Sequence, residues 1–514
     1  MKRLNIVGFI KKYRIEVLLA ISIAIFIVVF SYLSHKRYNT LHSYYYDLGI
    51  MNQVVDNTSR GRFLEMTNQQ LGENVNRLAI HFDPILAAFA PFYLLWRDPT
   101  ILLIGQAVVL GLGALAVYLL SIKILKKKSI SLLMAVLYLL YFQVQRAVLF
   151  DFHAVVLSTT FLLFAFYFME SKKKLPYFLF LLLALLTKEH VGMVVMMLGI
   201  YLVFVKKEIK MGLMTAALGL MFFVATVYVT IPYFRQQDHF ALRYFEEFGD
   251  SPSKIFVNIL THPLVTLRKV FSTDAIDYFM RLVNPLFFAL FSPLTFMISL
   301  PEWAINILSI NANMRGYYFH YSSLIVPTLF YGLILGYRNF EKLVKNNTVK
   351  TAVFVVFIIA NVVSFYRYNP VPAALVKNPV GYKEIDPIKK NTLRILREKL
   401  KDEDIRLSTT PRLAPFFTNR KYYHNFLFDS AYSQMGQTEE DVMKSKLGSY
   451  QGYDYVIIDR GEIRDLASGD LTVKFYVNLR ENKDYFQVAT DDHDIEVYTK
   501  EANRKSSKVN DTDF

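Results

Sequence analysis

The stretch YYYDLGIMNQVVDNTSRG, residues 44–61, follows the first long apolar segment and leads through a polar loop to LAIHFDP, residues 78–84. Its apolar residues recur at helical spacing, which predicts a helix over residues 46–60. Gly61 comes where a helix commonly ends, because glycine readily adopts the left-handed conformation that closes the last turn. The sequence therefore predicts a helical loop after the first apolar segment.

Asp47 is the candidate catalytic residue of this loop. On the predicted helix it shares one face with three apolar residues, Ile50, Met51 and Val54. A carboxylate within an apolar stripe must be paired, protonated or positioned for chemistry. Asp56 is about 180° further round the helix, so it is expected to face elsewhere and the substitution Asp56→Asn to be nearly silent. The alternative is an interfacial helix on which Asp47 is simply solvated.

The composition places the chain among membrane proteins. Apolar residues make up 54% of its 514 residues, and the mean hydropathy is +0.28. The formal charge of +15 would suggest nucleic acid as a partner of a soluble protein. In a polytopic protein the same charge reflects lysines held on the cytoplasmic side, so no nucleic-acid partner is predicted. The absence of cysteine excludes disulfides, thiol nucleophiles and thiolate metal sites.

Apolar segments recur along the first 368 residues, and a bilayer crossing needs roughly 20 of them in a row. We predict an α-helical polytopic membrane protein with about eleven spans. The predicted spans are 15–33, 100–122, 130–149, 154–169, 175–187, 191–205, 211–234, 275–291, 293–309, 317–337 and 351–368. The segment 84–96 is apolar but too short to cross, and we place it at the outer surface or as a re-entrant segment.

Basic residues set the predicted orientation. Their runs are the N-terminal residues and 123–128, 172–174, 206–210 and 338–350. All five fall on one side of the membrane if there are eleven spans. Because positive loops stay in the cytoplasm, a cytoplasmic N-terminus is expected in a multi-pass protein of the cell membrane. The loops 34–99 and 235–273, and everything after residue 368, are expected outside.

The composition changes after the predicted transmembrane domain, residues 1–368. Residues 369–382 form a proline-punctuated linker. Residues 383–500 alternate helical stretches with strands, which indicates a soluble extracytoplasmic α/β domain. The strands are predicted at 405–409, 453–459, 486–489 and 495–498, and the helices at Asp386-Pro387 onward, 438–446 and 471–481. The polar tail 501–514 is expected to be disordered.

No motif of a soluble enzyme occurs: there is no glycine-rich phosphate loop, nucleophile elbow or paired-histidine metal helix. Ionisable residues at the ends of spans are the functional candidates instead, because burying them in a membrane is costly. Under the predicted topology they converge on the outer side. The predicted substrate-binding residues are His81, Asp83, Asp151, His153, Lys188, Glu189, Arg243, His320 and Tyr321.

Each candidate has a structural alternative. Lys188 and Glu189 could form an ion pair within a helical hairpin. His81 and His153 could cap helices or bind carbonyl groups, and His320 with its tyrosine neighbour could be an interfacial anchor. The convergence of the group on one side carries more weight than any single residue.

Several stretches resemble the prokaryotic membrane family called domain of unknown function 2079. They are DLGIMNQVVDNTSRGRFL (47–64), LAIHFDPILAAFAPFYLLWRDPTILLIGQA (78–107), FDFHAVVL (150–157), LLALLTKEHVG (182–192), SPLTFMISLPEWAINILS (292–309), HYSSLIVP (320–327) and YDYVIID (453–459). That family is similar to the GT-C class of glycosyltransferases, which use polyprenyl-phosphate sugars. Such enzymes carry an acidic residue in the first outer loop, and Asp47 matches that position.

The resemblance implies a GT-C-like transferase that moves a hexose or pentose from a polyprenyl-phosphate donor to an extracytoplasmic acceptor. Lys188, Arg243 and His320 would stabilise the departing phosphate, and Asp47 would take the proton of the acceptor hydroxyl. The loop lacks the paired acidic residues of many such enzymes. A divalent metal ion as cofactor is therefore left open, the other expected partner is membrane lipid, and the oligomeric state is not predicted.

Two other functions fit the same pattern. A transporter or lipid flippase would line a path through the bundle with polar residues. A non-enzymatic envelope assembly protein would use the outer domain to bind a partner. The helical first loop and the gathering of polar residues at one face favour the transferase.

Overall fold

Helices dominate the computed structural model, which describes residues 12–69, 73–235, 244–371, 382–426, 452–466, 470–482, 485–490 and 494–500. The α-helices within these ranges are α1 (Arg14–Asn39), α2 (Ile50–Ser59), α3 (Ala90–Tyr93), α4 (Thr100–Leu125), α5 (Lys128–Leu140), α6 (Phe142–Leu149), α7 (Ala154–Glu170), α8 (Lys174–Leu185), α9 (Val191–Phe204), α10 (Ile209–Val224), α11 (Ile231–Arg235), α12 (Pro252–Thr261), α13 (Pro263–Val270), α14 (Thr273–Val283), α15 (Leu300–Leu308), α16 (Ile325–Leu343), α17 (Asn347–Tyr368), α18 (Pro387–Lys399), α19 (Ala414–Phe417), α20 (Arg460–Arg464) and α21 (Leu471–Glu481). The π segments are Tyr45–Gly49 and Ala225–Thr230, and the 3-10 segments are Arg77–Ala79, Pro84–Phe89, Asn284–Phe291, Pro293–Ser299 and Ala312–Arg315.

Four helical stretches in the described part of the chain are long and apolar enough to cross a membrane. They are α1, α4, α17 and the continuous run Ile209–Arg235. The pair α5 and α6, bent by 43°, adds a fifth if the two form one span. This count is lower than the predicted eleven, because the other apolar helices are shorter or interrupted.

Proline explains part of the difference. The predicted spans 275–291 and 293–309 are divided into α-helix and 3-10 segments that begin near Pro285, Pro293 and Pro301. Proline lacks the N–H group that an α-helix needs beyond its first turn, so a helix cannot run through these positions undisturbed. The predicted short segment 84–96 is indeed short, and one 3-10 segment and α3 cover most of it.

The chain forms two compact units. The first, the membrane unit, comprises residues 1–34, 78–85 and 103–380. Its helices α9 and α10 approach so closely that a Cβ at Gly199 would lie 2.2 Å from the backbone nitrogen of Ala216, and one at Gly219 would lie 2.3 Å from that of Met196. Such contacts are typical of membrane helices, which pack through small residues.

The connections between the helices of the membrane unit gather at two ends. At one end lysines pair with glutamates: Lys128 with Glu16, Lys127 with Glu341, and Lys206 with Glu170. The connections 150–153, 186–190 and 316–324 lie at the opposite ends of these helices. The candidate polar residues of the membrane unit are carried by these three connections, by residues 81–83 and by α15.

The second unit, the sheet unit, comprises residues 35–77, 86–102 and 381–514. Its strands are β1 (Glu65–Thr67), β2 (Asn74–Asn76), β3 (Leu407–Thr409), β4 (Tyr423–Asn425), β5 (Tyr455–Asp459), β6 (Tyr485–Thr490) and β7 (Ile495–Lys500). β1 and β2 form an antiparallel pair, and the other five form one sheet in the order β4-β3-β5-β7-β6. β3 runs parallel to β4 and β5, whereas β7 runs antiparallel to β5 and β6.

The C-terminal elements follow the predicted pattern with small shifts of their ends. The four predicted strands appear as β3, β5, β6 and β7, and the predicted helix 471–481 is α21. The helix predicted at Asp386-Pro387 is α18, and the Asp386 side chain accepts the N–H of Ile388 at 2.7 Å. β4 was not among the predicted strands. The predicted helix 438–446 and the tail 501–514 lie outside the described residues.

The first loop forms part of the sheet unit. The amide of Asn52 in α2 donates to Oγ1 of Thr418 at 2.9 Å. Oε1 of Gln69 accepts the backbone N–H of Asn425 in β4 at 2.7 Å. The unit therefore contains more of the chain than the predicted domain 383–500, and the independent folding of 383–500 stays a prediction.

Candidate functional site

A buried turn joins α6 to α7 in the membrane unit and carries Asp151 and His153. Asp151 has φ of 47°, a left-handed conformation that Asp adopts more readily than most residues. Gln106 in α4 fixes this turn from both sides: its amide nitrogen donates to the Asp151 carbonyl at 2.7 Å, and its amide oxygen accepts the N–H of His153 at 2.9 Å. Gln106 is therefore a positioning residue for both candidates.

Glu189 holds the connection between α8 and α9 to the HFD stretch at residues 81–83. Its carboxylate lies 3.0 Å from Nδ1 of His81 and accepts the N–H of Phe82 at 3.0 Å. Burial would raise the pKa of Glu189, but the charge and hydrogen bond of His81 outweigh it, and the pKa lies well below its ordinary value. Glu189 is thus an ionised, paired carboxylate that orients His81.

A second carboxylate faces the next histidine. Oε2 of Glu302 in α15 lies 3.3 Å from Nε2 of His190, and the Glu302 side chain is buried. This distance is within the range of an ion pair. No residue in the described ranges donates a hydrogen bond to Oε2 of Glu302. The site therefore contains two carboxylates, each beside one imidazole.

His153 and His320 stack on one another with ring centroids 3.7 Å apart, and the ring of Phe150 lies against both. His320 is carried by the loop before α16 and is buried, and its Nδ1 has no hydrogen-bond partner within the described part of the chain. The two rings therefore form a buried imidazole pair.

These contacts define a polar cluster in the membrane unit. Its members are His81, His153, Lys188, Glu189, His190, Glu302 and His320. His153 stacks on His320, and the consecutive residues 188–190 are joined to His81 through Glu189 and to α15 through the contact of His190 with Glu302. Lys188 is half-buried, and across the described ranges it forms neither an ion pair nor a hydrogen bond through its side chain.

The cluster suits an anion better than a metal ion. No group of three or more His, Asp or Glu side chains among the described residues is arranged to hold a metal. Lysine supplies a fixed positive charge, and imidazoles supply N–H donors at neutral pH. Two carboxylates keep two of the imidazoles oriented, so the arrangement offers donors and positive charge to a phosphate group.

The remaining predicted site residues have different placements. Asp83 is buried directly after the His81-Phe82 pair, and the Tyr321 ring lies 4.6 Å from that of His320 between centroids. Arg243 lies outside the described residues. Asp47 belongs to the sheet unit, where it is half-buried in the π segment before α2. Single-turn π segments occur frequently at functional sites.

Two interpretations of the sequence require correction. Glu189 pairs with His81, so the suggested ion pair between Lys188 and Glu189 is wrong. Asp56 was expected to face away and to be dispensable, but it is fully buried. Its two oxygens accept Nε and Nη2 of Arg97 at 2.8 and 2.9 Å, which makes Asp56 a structural residue of the sheet unit.

Sequence reasoning missed Gln106 and Glu302. Glu302 has a signal that could have found it: it is the only acidic residue between Asp277 and Glu341, a long and largely apolar stretch. Gln106 has no such signal. A single glutamine in an apolar helix does not predict which distant turn its side chain will bind.

Gln106→Leu is expected to destabilise the membrane unit by about 2 kcal/mol or more, because the Asp151 carbonyl and the His153 N–H lose buried hydrogen bonds. Thermal unfolding of the purified protein in detergent measures the change. The control is Gln143→Leu, a similarly buried glutamine with one long contact, 3.4 Å to Ser322. Equal losses for the two variants would contradict the role given to Gln106.

Comparison with known proteins agrees with the resemblance described above. Residues 37–495 match the family described as "Predicted membrane protein (DUF2079)". No curated protein matches the chain. Similar solved structures include the archaeal oligosaccharyltransferase AglB from Archaeoglobus fulgidus, in complex with an inhibitory peptide and a dolichol-phosphate, at 11% identity and a TM-score of 0.43 over 88% of this chain and 70% of that one. They also include ArnT from Cupriavidus metallidurans bound to undecaprenyl phosphate, at 9% identity and a TM-score of 0.49 over 92% of this chain and 97% of that one. Because the family match spans most of its length, the chain belongs to the DUF2079 family of predicted membrane proteins.

Proposed function

We propose that this protein is a membrane glycosyltransferase that moves a sugar from a polyprenyl-phosphate donor to an extracytoplasmic acceptor. The observation that supports the proposal is the polar cluster: four histidines, one lysine and two glutamates, all buried or half-buried in a unit built mainly from apolar helices. A charged group in such surroundings is costly unless it has a partner. The phosphate of a membrane lipid would be that partner.

The cluster would act on the leaving group. During transfer the bond between the anomeric carbon and the phosphate oxygen breaks, and the charge develops on the lipid phosphate. Lys188 would stabilise that charge directly, and the imidazole of His320 would donate a hydrogen bond to the phosphate. Glu189 and Glu302 would keep His81 and His190 in position for the same phosphate.

Asp47 would act on the acceptor. A bond forms between the acceptor oxygen and the anomeric carbon, and the hydroxyl proton must leave. A carboxylate within hydrogen-bond reach of that hydroxyl can accept the proton. This role for Asp47 is supported by its place in a π segment of the first loop and by its match to the acidic position of the resembling enzymes.

The proposal is tested by the lipids and glycans of cells that lack the protein. Mass spectrometry should show that a polyprenyl-phosphate sugar accumulates and that one envelope glycan loses a sugar. Wild-type protein should reverse both changes, and Lys188→Gln should not. Lys345→Gln, which alters an exposed lysine between α16 and α17, should behave like wild type. Unchanged lipids and glycans in the deletion strain would overturn the proposal.

The function also requires the predicted orientation, with the N-terminus in the cytoplasm and the C-terminal residues outside. Reporter fusions test it at Lys126, between α4 and α5, and at Lys383, before α18. A cytoplasmic reporter is expected to be active at Lys126 and inactive at Lys383. Activity at Lys383 would reverse the topology and contradict an extracytoplasmic acceptor.

A further inference from the structure

A strongly basic cavity lies within the sheet unit and is formed by residues other than those of the polar cluster. Its volume is about 380 Å³. Its charged lining consists of Arg97, Arg394, Arg397, Lys401, Arg420 and Glu398. Five of these six side chains are cationic, and the uncharged residues Phe416, Phe417 and Asn419 complete the lining.

Helix α18 supplies most of this charge in a regular pattern. Lys390, Arg394, Arg397 and Lys401 follow one another at intervals of four, three and four residues, at α18 or just past its end, which places them along one face. On the flank of this basic face, Leu393 and Leu396 are buried. Like charges at this spacing repel one another, so the basic face is costly unless an anion neutralises it.

The protein's own carboxylates neutralise the cavity only in part. Arg97 is paired with Asp56, Arg397 with Asp98 and Lys401 with Glu398. Arg394 contacts only a neutral group, the side-chain oxygen of Asn391 at 3.0 Å, among the residues that the structure describes. The cavity has five cationic side chains and three paired carboxylates, so it keeps a net positive charge.

Arg420 is a buried cation that likewise has no carboxylate partner among the described residues. It is 3% exposed, and its guanidinium donates to three backbone carbonyls, those of Phe417, Ile405 and Leu400. No carboxylate of the described chain accepts a hydrogen bond from it. Burial lowers its pKa to about 10, as expected for a charge held away from water without an anionic partner.

A second cavity of about 360 Å³ shares Arg394 and Arg397 with the first and adds Lys390. Its other lining is more apolar and includes Ile385 and Leu393. The two arginines therefore line both a basic cavity and a cavity of mixed character. A ligand with an anionic group and a less polar portion would fit this arrangement.

We propose that this pair of cavities binds a phosphate-bearing ligand through Arg394, Arg397 and Lys401. Arginine presents two parallel N–H groups that match two oxygens of a phosphate, and lysine adds a point charge. A phosphate group accepts several hydrogen bonds at once, so it suits a recess with several converging donors. The proposal does not depend on the transferase function, since it concerns different residues.

The test measures pyrophosphate binding by isothermal titration with the full-length protein in nanodiscs of neutral lipid. The starting protein carries Lys188→Gln, so that the polar cluster contributes little to binding. Adding Arg394→Gln and Lys401→Gln should weaken the affinity at least about 10-fold, because two charged donors are lost. Both side chains are exposed, so the fold should persist, and thermal unfolding checks this. The matched control is Lys399→Gln, an exposed lysine of the same helix that does not line either cavity.

Repeating the titration in nanodiscs with an anionic phospholipid separates two sources of the phosphate. Weaker pyrophosphate binding there would identify a lipid headgroup as the natural ligand, and unchanged binding would identify a soluble phosphate ester. Both results support the site. The absence of saturable pyrophosphate binding, or an equal loss in Lys399→Gln, would overturn it.

Discussion

Asp47→Asn is expected to lower the rate of sugar transfer about 10²–10⁴-fold, the usual contribution of a general base. Asparagine keeps the size of the side chain but cannot accept the proton of the acceptor hydroxyl. Because Asp47 is only half-buried, the substitution should leave the fold intact. Envelope-glycan restoration in the deletion strain measures the effect, with the amount of protein in the membrane determined alongside.

The matched control for Asp47→Asn is Asp404→Asn. Asp404 is an exposed aspartate of the same unit, so the variant removes the same charge without removing the proposed base. It should restore the glycan fully. If Asp47→Asn also restores the glycan at normal protein level, Asp47 is not the base, and Asp83 and Glu189 become the carboxylates to test.

Asp56→Asn is expected to destabilise the sheet unit by about 3 kcal/mol. Arg97 loses a bidentate ionic partner whose side chain is fully buried and shielded from solvent. For a unit of this size the thermal midpoint should fall by roughly 6–12 °C. The result reverses the sequence-based expectation that Asp56 is dispensable. Thermal unfolding of the purified protein measures it.

A double-variant cycle separates the ion pair from other effects of the substitution. Arg97→Gln alone leaves Asp56 buried without its main partner and should also destabilise the unit. The combined Asp56→Asn and Arg97→Gln variant should lose less stability than the sum of the two, because residues in direct contact do not act additively. Strict additivity would show that the pair contributes little.

The contrast between Asp47 and Asp56 shows where sequence reasoning stops. The helical spacing correctly predicted the buried side chains Ile50, Met51 and Val54. It treated the opposite face as solvent, but residues from distant parts of the chain cover that face. Arg97 and Asn419 contact Asp56 there, and no local pattern joins these positions.

The fold was predictable where the signal is local. Alternating apolar residues gave the longer strands, and the capping Asp386 gave the start of α18. β4 was missed because its three residues, a tyrosine, a histidine and an asparagine, show no alternation of apolar and polar side chains. The count of eleven spans stays a prediction. Hydropathy does not register the prolines at 285, 293 and 301, so it did not predict that the spans 275–291 and 293–309 are divided into shorter helices.

The sequence predicted most residues of the polar cluster but not the contacts between them. Charged and histidine side chains in apolar stretches identified His81, His153, Lys188, Glu189 and His320. Their pairing depends on which helix ends meet, and this is a property of tertiary packing. For that reason the sequence offered Lys188 as a structural partner of Glu189, whereas the structure pairs Glu189 with His81.

The most direct measurement of the central claim compares the binding of polyprenyl phosphate and of unphosphorylated polyprenol to the purified protein in nanodiscs. If the polar cluster holds a lipid phosphate, wild-type protein should prefer the phosphorylated lipid at least about 10-fold, and Lys188→Gln should lose most of that preference. Equal binding of the two lipids by wild type, or an unchanged preference in Lys188→Gln, would contradict the claim.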